Sequence, residues 1–147
     1  MTKKSMVLIV DDDEIYLMLL MKLFKNAGIT ASCATSGAEA LKELAAHSFN
    51  CMITDLNMPR MNGIDLAKKA KQLAPWMLIV LCTGNDRSDV SWDAFGSGIE
   101  AVFTKPVNYA DLLAWVIEKN RMMNRTVPHY QAEESSAVRL QMSNGPT

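Results

Sequence analysis

Four short apolar runs constrain this chain most, because each ends abruptly in groups that handle charge. Met6–Val10 runs into Asp11, Asp12, Asp13 and Glu14. Cys51–Thr54 delivers Asp55 just ahead of the turn Leu56-Asn57-Met58-Pro59. Leu78–Cys82 precedes Thr83 and Gly84, and Ala101–Thr104 precedes Lys105 and Pro106. Short, continuous apolar runs of this kind read as strands buried on both faces of a sheet. A carboxylate nucleophile needs a divalent cation, a hydroxyl and an ammonium nearby. The run ends supply the acids to hold the cation, then the hydroxyl and the ammonium.

Helical patterns separate the runs. After the acidic cluster, Ile15, Leu19, Leu20, Leu23 and Phe24 recur at helical spacing, and Gly28 closes that helix. Thr30–Ala34 is a less apolar strand, suited to a sheet edge. Ser36 and Glu39 have the spacing of a capping box for a helix through Ala46. Strands follow at Asn50–Thr54, Met77–Cys82 and Glu100–Thr104. One helix starts at Asn62 or Gly63 and ends before Pro75, and a short one covers 88–95. Asn108 caps the last helix, with Asp111 in its first turn. Five β/α units with short connections imply a parallel sheet with helices on both faces. Ligands of such sheets sit beyond the carboxyl ends of the strands, where Asp11, Asp12, Asp55, Thr83 and Lys105 all fall.

The 147 residues, 49% hydrophobic and 21% charged, fit one soluble domain with a real core. A formal net charge of −1 provides no field for direct nucleic-acid or membrane binding. The apolar runs are far shorter than the roughly 20 residues of a membrane span, and no signal peptide is evident, so a cytoplasmic location is expected. Cys33, Cys51 and Cys82 fit neither a zinc site nor a disulfide framework and read as small core residues. His47 reads as a helix C-terminal residue rather than a metal ligand, and His129 has no ligand-like surroundings. The methionines at 18, 21, 52 and 77 read as core filler. From about Met122 the periodicity stops, which gives a domain over 4–121 and a flexible or briefly helical extension over 122–147.

The acid pair after the first run, the D-x-x-M-P-x-M-x-G pattern from Asp55 to Gly63, Thr83-Gly84 and Lys105-Pro106 together resemble the response-regulator receiver domain of the CheY-like superfamily. The resemblance implies a flavodoxin-like, doubly wound α/β fold with a five-stranded parallel sheet in the order 2-1-3-4-5. It implies that Asp55 is the phosphoacceptor of a two-component phosphorelay, served by a sensor histidine kinase or phosphotransfer protein. Magnesium (Mg2+) would be held by Asp11, Asp12, Asp55 and the backbone carbonyl of Asn57. Thr83, Gly84 and Lys105 would form the phosphoryl-binding and switch group, with a cis peptide before Pro106. Asn57 and Asn85 fall where the family tunes phosphoryl lifetime. The domain would catalyse its own phosphorylation and dephosphorylation without being a turnover enzyme. Output would pass to a downstream protein through the short helix at 88–95, the fifth strand and the last helix, a face the family also uses for homodimers.

One position departs from the family. Many receivers carry an aromatic residue three before the lysine, where this chain has Val102; Phe103, one later, points to the other side of a strand. Val102 is the only hint of an alternative, a phosphorylation-independent, receiver-like binding module. A second alternative is the receiver fragment of a larger hybrid kinase or regulator. An aspartyl phosphatase fits poorly, because the place of its acid/base carboxyl is taken by Asn57.

Overall fold

The computed structural model describes residues 6–84 and 96–126. In chain order the elements are β1 (Met6–Val10), α1 (Glu14–Asn26), β2 (Thr30–Ala34), α2 (Gly37–Ala46), β3 (Cys51–Asp55), α3 (Gly63–Leu73), β4 (Leu78–Thr83), β5 (Ala101–Thr104) and α4 (Tyr109–Thr126). The helix expected over 88–95, Asn85, His129 and residues 127–147 of the extension lie outside the described residues. The strands form one parallel sheet in the order β2-β1-β3-β4-β5, the flavodoxin-like arrangement that the resemblance implied. Two compact units divide the chain between Leu112 and Leu113, inside α4. The first holds the sheet and every site residue discussed below. In the described part of the second, Lys119 Nζ lies 5.7 Å from the Trp115 ring centroid, and Arg121 pairs with Glu118 at 3.1 Å.

Strand alternation divides the core. Leu8, Val10, Met52, Ile79, Leu81 and Val102 project to the face covered by α2 and α3, where Ala40, Leu66, Ala67 and Ala70 meet them. Val7, Ile9, Cys51, Ile53, Val80 and Cys82 project to the opposite face and are buried as well. Both faces are therefore dry, as parallel sheets require. Small residues on α2 and α3 let those helices approach the strands closely. The edge strand β2 is the least buried, in keeping with its composition.

The helix starts follow their local chemistry. Asp13 caps α1, its Oδ1 accepting from the Ile15 and Tyr16 amides at 3.0 and 3.3 Å. Ser36 Oγ accepts from the Glu39 amide at 3.1 Å; Glu39 reaches back one residue further than a standard box, to the Thr35 amide at 2.7 Å. Asn62 and Asn108 cap α3 and α4 through the amides of Asp65 and Asp111 at 2.8 and 3.1 Å. Gly28, with φ of 80°, ends α1 in the left-handed region.

Three expectations need correction. The buried stripe of α1 is Leu17, Leu20 and Phe24, whereas Ile15 and Leu19 face solvent. The helix is apolar on more than one side, so helical spacing alone fits several stripes. Met18 is exposed for the same reason, while Met52 and Met77 are fully buried. Cys33 is exposed, because β2 is an edge strand; Cys51 and Cys82 are buried as expected.

Gly63 ties the fold to the site. Its amide donates to the Leu56 carbonyl at 2.8 Å, which brings the start of α3 against the end of β3. A Cβ here would overlap the Asp55 carbonyl oxygen and sit 2.8 Å from Leu81 Cδ1. Backbone cannot give way as a flexible side chain can, so Gly63→Ala should cost about 1–3 kcal/mol by overpacking. Urea denaturation measures this, and an unchanged midpoint would contradict the close approach.

Candidate functional site

The sheet's hydrogen bonding continues one residue past several strands and carries the polar groups with it. The Asp11 amide donates to the Ala34 carbonyl at 3.1 Å, that of Leu56 to Cys82 at 2.9 Å, and that of Lys105 to Thr83 at 2.7 Å. Asp11, Asp55, Thr83 and Lys105 are thereby fixed at the carboxyl ends of β1, β3, β4 and β5. The register sets Asp55 opposite Cys82 and Thr83 opposite Thr104.

Three carboxylates meet there. One ligand oxygen from each of Asp11, Asp12 and Asp55 lies within 4.8 Å of the others. Asp11 and Asp55 are buried, at 1% and 8% exposure, while Asp12 is open to solvent. The cluster is all oxygen, partly buried and open on one side, a donor set suited to a hard divalent cation that keeps some of its waters. It thus fits the magnesium that receiver domains generally bind. Asn57 lies in the exposed turn that follows β3.

Lys105 supplies the compensating charge. Its Nζ donates to Asp11 Oδ2 at 2.8 Å and lies 3.4 Å from Asp55 Oδ1. The other Asp11 oxygen accepts from the Asp13 amide at 2.9 Å. The peptide between Lys105 and Pro106 is cis. Thr83 is fully buried at the end of β4. Gly84 is exposed, and a Cβ there would meet nothing within 4 Å among the described residues. Val102 is buried in the core cluster on the α2/α3 face, whereas Phe103 is only half-buried.

Two shifts follow from this packing. Burial, and then the neighbouring Asp11 charge, push the Asp55 carboxyl above its ordinary range; Lys105 offsets only part of this. Burial alone would lower the Lys105 ammonium, but its hydrogen bond to Asp11 and the charges of Asp11 and Asp55 outweigh that and raise it.

Sequence reasoning missed an aromatic floor. The Tyr16 ring lies under Lys105, with Nζ 4.4 Å from its centroid, and Tyr109 tilts against it at 6.3 Å. The Tyr16 hydroxyl is buried beside the Cys82 thiol, near enough to influence it but without hydrogen-bond geometry. Burial pushes that thiol up to about 12, which leaves it unreactive. The available signal was the position of Tyr16 in the first turn of α1, three residues after the cap Asp13.

The Asp55 shift makes a stability prediction. A carboxyl raised in the folded state favours folding below the ordinary carboxylate range, and that contribution is lost as pH rises through the raised value. Asp55→Asn removes this titration. Without divalent cations, the variant should gain stability relative to the wild type as pH rises above the ordinary carboxylate range, each ~1 kcal/mol moving Tm by roughly 4 °C. Thermal melts across that rise measure the gap; one that closes as pH rises would contradict the assigned direction.

Comparison with known proteins agrees with this arrangement. The response regulator receiver domain family matches residues 7–117. The chain is 29% identical to the DNA-binding transcriptional regulator NtrC of Escherichia coli over 145 residues, 99% of this chain and 29% of that protein. It is 31% identical to the response regulator protein TmoT of Ectopseudomonas mendocina over 111 residues, 76% of this chain and 50% of that protein. It thus spans half or less of the length of these curated relatives. A CheY-like response regulator receiver domain protein from Methanospirillum hungatei superposes with a TM-score of 0.77 at 29% identity, covering 84% of this chain and 99% of that one. With its sheet order, its acidic cluster at the strand ends and a family match over most of its length, the chain belongs to the response regulator receiver domain family of two-component systems.

Proposed function

We propose that Asp55 accepts a phosphoryl group and that the resulting aspartyl phosphate switches protein contacts. The observation that carries this reading is the buried carboxylate cluster with Lys105 bridging Asp11 and Asp55. A carboxylate oxygen of Asp55 attacks phosphorus on a phosphohistidine of a sensor kinase or phosphotransfer protein, or on a small acyl phosphate. A P–O bond to Asp55 forms, the bond to the donor breaks, and its electron pair leaves with the imidazole or the acyl carboxylate. Lys105 follows the charge from the carboxylates to the phosphoryl oxygens, as a compact ammonium can. The Thr83 hydroxyl, at the end of the neighbouring strand, is the group to accompany it.

Asp11, Asp12, Asp55 and the Asn57 carbonyl are the residues to hold magnesium, which when bound supplies charge neutralisation for phosphoryl transfer. Asn57 and Asn85 are placed by their sequence positions to tune how long the phosphoryl group persists. The domain is consumed and reset in each cycle, so it acts as a switch rather than a turnover enzyme. Val102 offers no ring to follow Thr83, so the conformational readout runs without the aromatic rotor common in the family. Output passes to a downstream protein, and the same switch can serve a homodimer; the 88–95 segment expected to take part lies outside the described residues. No described helix is long and apolar enough to cross a membrane. A cytoplasmic setting, with neither membrane nor direct nucleic-acid contact by this domain, accords with the net charge of −1.

Intact-mass analysis after incubation with acetyl phosphate tests the reading. The wild type should gain one phosphoryl adduct in magnesium, little or none in chelator, and none as Asp55→Asn. An equal adduct on Asp55→Asn would contradict the assigned acceptor.

A further inference from the structure

We propose that Tyr16 is a positioning residue for phosphoryl transfer, its ring face holding the Lys105 ammonium at the phosphoacceptor pocket. The inference rests on the reading of Asp55 as phosphoacceptor. Around Lys105 Nζ the structure places Asp11 at 2.8 Å, Asp55 at 3.4 Å and the Tyr16 ring centroid at 4.4 Å. Of the three, only the ring is uncharged. When a cation or a phosphoryl group engages the carboxylates, both ion pairs to Lys105 weaken. The attraction of the ring quadrupole for the ammonium remains. A lysine side chain is flexible and gains much rotamer freedom once released, so a surface that retains it keeps the ammonium within reach of the incoming phosphoryl oxygens.

The local structure fixes that surface. The Tyr16 amide is tied to the Asp13 cap at 3.3 Å, and the Asp13 amide is tied to Asp11 at 2.9 Å. The loop that presents the acidic cluster therefore also orients the ring. Tyr109, in the first turn of α4, tilts against the ring and limits its movement. The hydroxyl has no hydrogen-bond partner among the described residues, so the aromatic face rather than the phenol is the working part. This separates the effect of the ring from that of the hydroxyl and of the volume filled.

The full chain is tested as Tyr16→Phe, which keeps the ring, and Tyr16→Met, which keeps apolar volume without it. Two readouts are used: the rate of adduct formation with acetyl phosphate in magnesium, and the ring-current shift of the Lys105 side-chain protons before any phosphorylation. Tyr16→Phe should stay within about twofold of wild type in rate and keep the upfield shift. Tyr16→Met should lose the shift and slow about fivefold or more, while its magnesium affinity by calorimetry is unchanged or higher. A Met variant as fast as wild type, a Phe variant as slow as Met, or equal upfield shifts in all three would overturn the proposal. A wild type that shows the ring-current shift but takes no phosphoryl group would sink the phosphoacceptor reading, and this role with it.

Discussion

Like charges brought together at the ends of buried strands are the constraint around which this domain is built. Asp11 and Asp55 are nearly withdrawn from solvent, and Asp12 stands beside them. Three carboxylates so close repel one another, and burial makes the repulsion harder to screen. In the protein alone, Lys105 is the compensating charge, bonded to Asp11 and close to Asp55. That compensation is partial, as the raised Asp55 carboxyl shows. An all-oxygen, partly buried cluster of this kind is a donor set suited to a hard cation. A buried ion pair of this kind is weak evidence for stability, and here it is better understood as a functional demand that the rest of the fold supports.

The support is architectural. A parallel sheet points every strand the same way, so groups at the ends of β1, β3, β4 and β5 converge on one edge without long loops. The sheet's hydrogen bonding runs on through the amides of Asp11, Leu56 and Lys105 and ties their backbones to the neighbouring strands. Gly63 lets α3 close on the Asp55 carbonyl, and Asp13 both caps α1 and ties its amide to Asp11. Residues that look like ordinary turn and cap chemistry are therefore also those that hold the acidic cluster in shape.

Much of this was legible in the sequence. Continuous apolar runs identified the buried strands, because a residue covered on both sides of a sheet has no polar alternative. Turn and cap residues such as Asn62, Ser36 and Gly28 acted through their nearest neighbours, so their positions could be read locally. The exposed side of α1 could not. Ile15, Met18 and Leu19 are as apolar as the residues that α1 buries, and only packing decides which stripe turns inward. Cys33 was misjudged for a related reason: a small apolar residue on an edge strand need not be covered. Tyr16 was missed because its role depends on Lys105, 89 positions away along the chain and joined to it only by the fold.

The most direct test of the account is fluorine NMR of the protein with magnesium and beryllofluoride, a mimic of the phosphoryl group that binds a carboxylate without a donor protein. The account predicts bound fluoride resonances in the wild type that require magnesium and vanish in Asp55→Asn. Bound resonances that persist in Asp55→Asn, or a wild type that gives none, would contradict the claim that this carboxylate cluster is built to hold a phosphoryl group.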